Sequence, residues 1–220
     1  MIQLSITELK NKLDFLNKSI ARTQLDIFKE KPNSNIVWFN IALTNMIHSN
    51  IRAFIHMIND SNFFMARAII RMQLNCLMRL FSIFIITPQE KWINILLFEE
   101  DSWKYKVFRE GKPQTISEIF LCKQLEKNNI LPEAEKIYKK YCKFIHPSNM
   151  HFNEAVTKWN TETGNSVEWA TRINQEGVSE KSEEEMKKYI IEMIIITQMI
   201  NTYLAKTKNE LNFQKFRLVN

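Results

Sequence analysis

Leu9, Leu13, Leu16, Ile20 and Ile27 recur at helical steps behind Ser5 and Glu8, a serine–glutamate pair at capping-box spacing. The pattern predicts a first helix to about Glu30, broken by KPNSN. A second helix is predicted from about Asn35 to Ile58, with Trp38, Ala42, Met46, Phe54 and Ile58 as its apolar set. After NDSN, residues 62–86 are apolar over most of the helical circumference, as expected of the most buried helix. Thr87, Pro88 and Glu90 read as N-cap, first-turn proline and capping-box acid of a fourth helix running to about Phe108. Thr115 and Glu118 open a fifth helix that frays at KNN. Pro132 opens a sixth, which ends near His146 because Pro147 disfavours helix at the residue before it. Ser179 or Ser182 caps a long last helix to about Leu211, with Glu183, Glu184 and Glu185 at the positive end of its dipole.

One stretch departs from helical periodicity. Val156, Lys158 and Asn160 alternate, TETGNS reads as a turn, and Val167 and Trp169 follow. A short β-hairpin or structured loop near 155–170 is expected. The fold class is therefore all-α: a bundle of six or seven helices with a small β element. The expected layout is one domain over 1–220, with an N-terminal helix (1–34), a core bundle (35–205) and a basic C-terminal tail (206–220).

Composition narrows the chemistry. The chain of 220 residues contains only three glycines, Gly111, Gly164 and Gly177, and they are scattered. Phosphate-cradling loops of the P-loop or dinucleotide type need clustered glycines and are excluded. Asp14, Asp26, Asp60 and Asp101 are too dispersed for a calcium loop or a two-metal carboxylate site. Cys76, Cys122 and Cys142 are odd in number and form no CxxC pair, which suits a reducing compartment. The runs LMRLFSIFII and YIIEMIIITQMI each fall short of a membrane span and carry a charge. A soluble cytoplasmic protein is expected, with no membrane association, no metal and no cofactor. The net charge of +6 permits contact with RNA or another polyanion.

Three polar constellations stand out. In YCKFIHPSNMHF, His146 and His151 flank Pro147 at a helix exit. Two imidazoles there could divide acid and base roles in phosphodiester cleavage, or donate together to a phosphate; packing histidines beside a helix-ending proline are the alternative. Arg67, Arg71, Asn75 and Arg79 lie four apart on the greasiest helix. A buried guanidinium needs a carboxylate, water or an anionic ligand, so the stripe is either a set of ion pairs or a phosphate groove. His48, Arg52 and His56 form a similar stripe on the second helix, read as a solvent edge or a second wall of that groove. The five tryptophans do not alternate with cations as a base-stacking platform would.

The ARxxxR helix, the helix ending in YKKYCKFIHPSxxHF, the TETG turn and the long terminal helix together resemble uncharacterised bacterial families of the HEPN-like superfamily, over roughly residues 35–205. The resemblance implies an all-α bundle, often dimeric with its site at the subunit interface. It also implies metal-independent ribonuclease activity in phage-defence, toxin–antitoxin or stress systems. In those families activity accompanies an arginine followed four to six residues later by histidine. Here Lys140 and Lys143 precede His146, and that window holds no arginine. The expected site is then His146 and His151 as catalytic pair, with Arg67, Arg71, Lys140, Lys143, Ser148 and Asn149 binding phosphate or RNA. Expected partners are RNA or a nucleotide, a second copy of the chain, and an antitoxin or defence-system protein. The alternative is a non-enzymatic helical interaction or RNA-binding module with structural histidines.

Overall fold

The computed structural model of the chain describes residues 4–30, 32, 34–99, 104–142, 183–208 and 213–219. Its elements run α1 (Ile6–Glu30), α2 (Asn35–Asn59), α3 (Phe63–Ile85), β1 (Ile86–Thr87), α4 (Gln89–Phe98), β2 (Lys106–Arg109) and β3 (Lys112–Thr115). They continue with α5 (Glu118–Lys127), α6 (Ala134–Cys142), α7 (Glu183–Ala205), a 3-10 turn (Lys206–Lys208) and β4 (Phe216–Leu218). The described residues thus form a helical bundle with a small β element, the class expected. The expected hairpin near 155–170 lies outside them.

α3 is the central helix: 18 of its 23 residues are buried. By length and composition α3 could cross a membrane, but 83% of its apolar window is buried inside the protein. It packs against α2, α4, α5, α6 and α7, while α1 lies along α7 and α2. A polar chain ties three of these helices inside the core. Asn50 Nδ2 donates to Gln73 Oε1 at 3.2 Å, and Gln73 Nε2 donates to Thr197 Oγ1 at 3.0 Å.

The first helix follows its pattern. Leu9, Leu13, Leu16, Ile20 and Ile27 are buried, and Ser5 and Glu8 exchange hydrogen bonds as a capping box. α2 turns a different face inward from the one expected. Trp38 and Met46 are 52% and 41% exposed, while Val37, Leu43, Ile47 and Ile51 join Phe54 and Ile58 in the core. An isoleucine-rich helix offers more than one apolar stripe, and the better-packed one wins.

α4 ends at Phe98, ten residues before the expected end, and Pro88 is its N-cap rather than its first residue. The physical reason lies just beyond Phe98. Glu99, the C-cap, sets a carboxylate at the negative end of the helix dipole, where negative charge is unfavourable. Lys106-Val107-Phe108-Arg109 then goes strand, because Glu110 (φ 52°) and Gly111 (φ 77°) make the two-residue turn that closes a β2–β3 hairpin. α5 is likewise capped by Ser117, whose Oγ accepts from the Phe120 N–H, rather than by Thr115.

The stretch expected as a basic tail carries β4. It pairs parallel with β1 and antiparallel with β2, giving the sheet order β1-β4-β2-β3. Phe216 and Leu218 are each 3% exposed, and the Phe216 ring meets Phe120 edge-on at 5.2 Å. Phe213 packs against Phe81, Phe84 and Tyr203.

Candidate functional site

The arginines of the ARxxxR segment point into the bundle where α3 meets α5, α6 and α7. Arg67 and Arg71 are 5% and 4% exposed. Arg67 Nε donates to the Phe63 carbonyl at 2.9 Å, and its guanidinium lies 5.9 Å from the Tyr189 ring centroid. Arg71 Nη2 donates to Glu118 Oε1 at 2.5 Å, and its guanidinium stacks 4.1 Å from the Tyr138 ring centroid. Arg71 Nε also faces Cys142 Sγ at 3.4 Å. The other oxygen of Glu118 accepts from the Tyr138 hydroxyl at 2.6 Å. One carboxylate of α5 thereby binds a helix-three guanidinium and a helix-six phenol together.

A second node lies one turn along. Lys140 Nζ donates to both oxygens of Glu192, at 2.9 and 3.1 Å, and the Tyr141 hydroxyl donates to Glu192 as well. Lys140 Nζ lies 4.5 Å from the Tyr141 ring centroid and 5.7 Å from that of Tyr189. Tyr189 in turn donates to Glu185 at 2.5 Å. The amphipathic pattern of α6 explains the clustering: Tyr138 and Tyr141, three apart, share the face turned to α3 and α7.

These contacts set the protonation states. Burial and then the bond to Glu118 push the Tyr138 phenol well above its ordinary value. Burial and then Glu192 do the same for Tyr141. Both hydroxyls are therefore neutral donors at physiological pH. Burial alone would lower the Arg71 pKa, but the bonds to Cys142 and Glu118 outweigh it and leave it raised. Burial lifts the Cys76 and Cys122 thiols to about 12, so neither is a nucleophile near neutrality.

Of the expected site residues, the structure brings together Arg67, Arg71 and Lys140 at the end of α6. It gives each a partner within the protein, so an incoming phosphate would have to compete with Glu118 for Arg71 and with Glu192 for Lys140. His146, His151, Lys143, Ser148 and Asn149 lie outside the described residues. Cys142, four residues before His146, is the last residue of α6 and touches Arg71. Sequence reading missed Glu118, Glu192, Tyr138 and Tyr141. The buried guanidinium demanded a carboxylate, but nothing local to α3 said which one.

The His48–Arg52–His56 stripe belongs elsewhere. His48 Nδ1 is hydrogen-bonded to Asn17 Oδ1 of α1, and His56 pairs with Asp60 at 3.3 Å on the surface. Asn17, Asn45, His48, Ser49 and Arg52 line an open depression between α1 and α2. Partial burial and then the Arg52 charge hold the His48 imidazole below its ordinary value. Among the described residues, no three histidines, cysteines or carboxylates come together as a metal site.

The fold and site define a class in structural terms only: a helical bundle with a buried arginine–tyrosine–carboxylate cluster at the exit of one helix. Compared with protein-family models, with curated proteins and with solved structures, the chain matches none.

Proposed function

We propose that this chain is a HEPN-like, RNA-directed protein of a bacterial defence or stress system. In this reading the segment leaving α6 acts as a metal-independent ribonuclease, with His146 as general acid or base and His151 as its partner. The observation that carries the reading is the 3.4 Å contact between Arg71 Nε and Cys142 Sγ. It sets a guanidinium beside the point where the chain departs toward His146, and the lysine window before that histidine lacks one. The two carboxylate nodes support the reading in another way: they pin α6 to α5 and α7, and so hold the exit rigidly. A dimer formed through α7, where Ile191 and Ile195 are 43% and 42% exposed, would pair two such segments.

The test is incubation of purified protein with total RNA in excess EDTA. Degradation that His146→Ala abolishes and His151→Ala reduces supports the proposal. Intact RNA at large protein excess sinks it. Sedimentation equilibrium at micromolar concentration decides the dimer, and a clean 26.3 kDa species removes it.

A second reading is favoured by the partners of Arg71 and Lys140. Cations already neutralised by Glu118 and Glu192 are structural in the described residues, as expected of a non-enzymatic helical interaction module. The same experiment separates the two.

A further inference from the structure

We infer that the outer face of the four-stranded sheet is a docking surface for single-stranded RNA, with Phe108 as the base-stacking ring and Lys106, Lys215 and Arg217 as the phosphate contacts. The choice of RNA rests on the RNA-directed reading above; the surface itself rests on other residues.

Strand register builds the face. Arg217 of β4 is the partner of Phe108 of β2, and Phe108 is the partner of Pro113 of β3. Thr87 of β1 pairs with Arg217 and completes the row. Directly paired residues share a face, and so do residues two apart on one strand. Lys106 therefore stands on the Phe108 side, opposite Thr115. Exposed Lys215 immediately precedes β4. The inward face is taken up by the core: Val107, Phe216 and Leu218 are 0%, 3% and 3% exposed. Phe108, by contrast, is 44% exposed.

Charge sets the kind of ligand. Residues 106–115 and 213–219 hold five cations, Lys106, Arg109, Lys112, Lys215 and Arg217, against one carboxylate, Glu110. Glu110 already faces Arg109, at 3.7 Å. Among the described residues, Lys106, Lys215 and Arg217 have no ion-pair partner. Cross-strand neighbours stand about 5 Å apart and same-face neighbours along a strand about 7 Å apart, so cations flank the ring on two sides. An aromatic ring on a sheet face offers its surface to an unpaired base, while adjacent cations take the backbone phosphates. A duplex keeps its bases stacked on one another and cannot use the ring. The arrangement therefore selects single strands.

Fluorescence anisotropy with a labelled, unstructured oligoribonucleotide of about a dozen nucleotides tests the proposal on the full chain. Phe108→Ala is expected to weaken binding about tenfold or more, and Phe108→Trp to restore it. Changing Lys106, Lys215 and Arg217 together to glutamine is expected to flatten the slope of log affinity against log salt by about two. Far-UV circular dichroism should be unchanged, because all four side chains are exposed. The proposal is overturned if Phe108→Ala binds like the parent, if the duplex of the same sequence binds as tightly, or if the DNA strand binds more tightly than RNA. Binding and cleavage are scored separately. Undiminished binding by Phe108→Ala with cleavage intact sinks the sheet surface alone. Loss of RNA cleavage in His146→Ala, with Phe108-dependent binding retained, bears on the α6 exit alone.

Discussion

At the exit of α6, the cations have partners within the protein, and the two arginines among them are buried. On the outer face of the sheet, they are exposed and unpaired. Arg71 has 5% side-chain exposure and is held by a Glu118 carboxylate at 26%, whereas Lys106 and Arg217 stand in solvent. The reason is desolvation. A guanidinium withdrawn from water costs several kcal/mol unless a carboxylate accompanies it, so a folded chain keeps such a charge only by neutralising it. Charge that remains available to a polyanion must stay hydrated, and among the described residues Lys106, Lys215 and Arg217 on the sheet are such a set. The first region is therefore a stability determinant beside a candidate catalytic segment, and the second is a candidate docking surface.

Substitutions can sharpen this contrast. The largest effect is expected at the buried face of the sheet. Phe216→Ala removes a ring packed against Phe120 and should cost about 3–5 kcal/mol in urea unfolding. A loss below about 1 kcal/mol would mean that β4 is not part of the core.

At the α6 exit, Glu118→Ala strands the Arg71 guanidinium. With Arg71 so little exposed, about 3 kcal/mol of destabilisation is expected, toward the lower end for a broken buried pair because Glu118 is partly solvated. Replacing both partners by apolar residues, Arg71→Met with Glu118→Leu, should recover most of that loss. If the double variant is as unstable as the single one, the pair is not the structural unit described. Tyr141→Phe removes a phenol bonded to Glu192 and should cost about 1.5 kcal/mol by the same measurement.

The opposite outcome is expected on the exposed face. Lys106→Gln or Arg217→Gln should shift stability by no more than about 0.5 kcal/mol in either direction. A larger loss would show that these cations are structural too, and the contrast would collapse.

The smallest effect concerns pH. His48 titrates below its ordinary value of 6.5 in the folded chain, through partial burial and the Arg52 charge. The unfolded chain thus binds its proton first as pH falls. The stability linked to His48 is present above pH 6.5 and is lost as pH drops through the lower folded value. His48→Gln should flatten the dependence of Tm on pH between about 7 and 5. An unchanged slope would show that the ring is as free as in water.

How far these regions were legible differs between them. The arginine stripe was visible as Arg67 and Arg71 four apart on an apolar helix, and the demand for carboxylates followed from burial alone. The sheet was not legible. Lys106 and Phe108 read as the end of a helix because Trp92 through Phe98 is helical in pattern, and the Glu110–Gly111 turn signal was overlooked. Lys215 and Arg217 read as a tail because Phe216 and Leu218 are too few to announce a strand without their partners.

By itself the sequence determined the helical core. Periodicity in α1, the capping pair Ser5 and Glu8, and the all-round apolarity of α3 are local properties, written in side chains three and four residues apart. Tertiary structure alone decided which cations are neutralised and which remain free. Glu118 and Glu192 reach Arg71 and Lys140 from α5 and α7, and β4 reaches β1 and β2 from the far end of the chain. Those pairings depend on contacts between distant segments, whose closure no local pattern encodes.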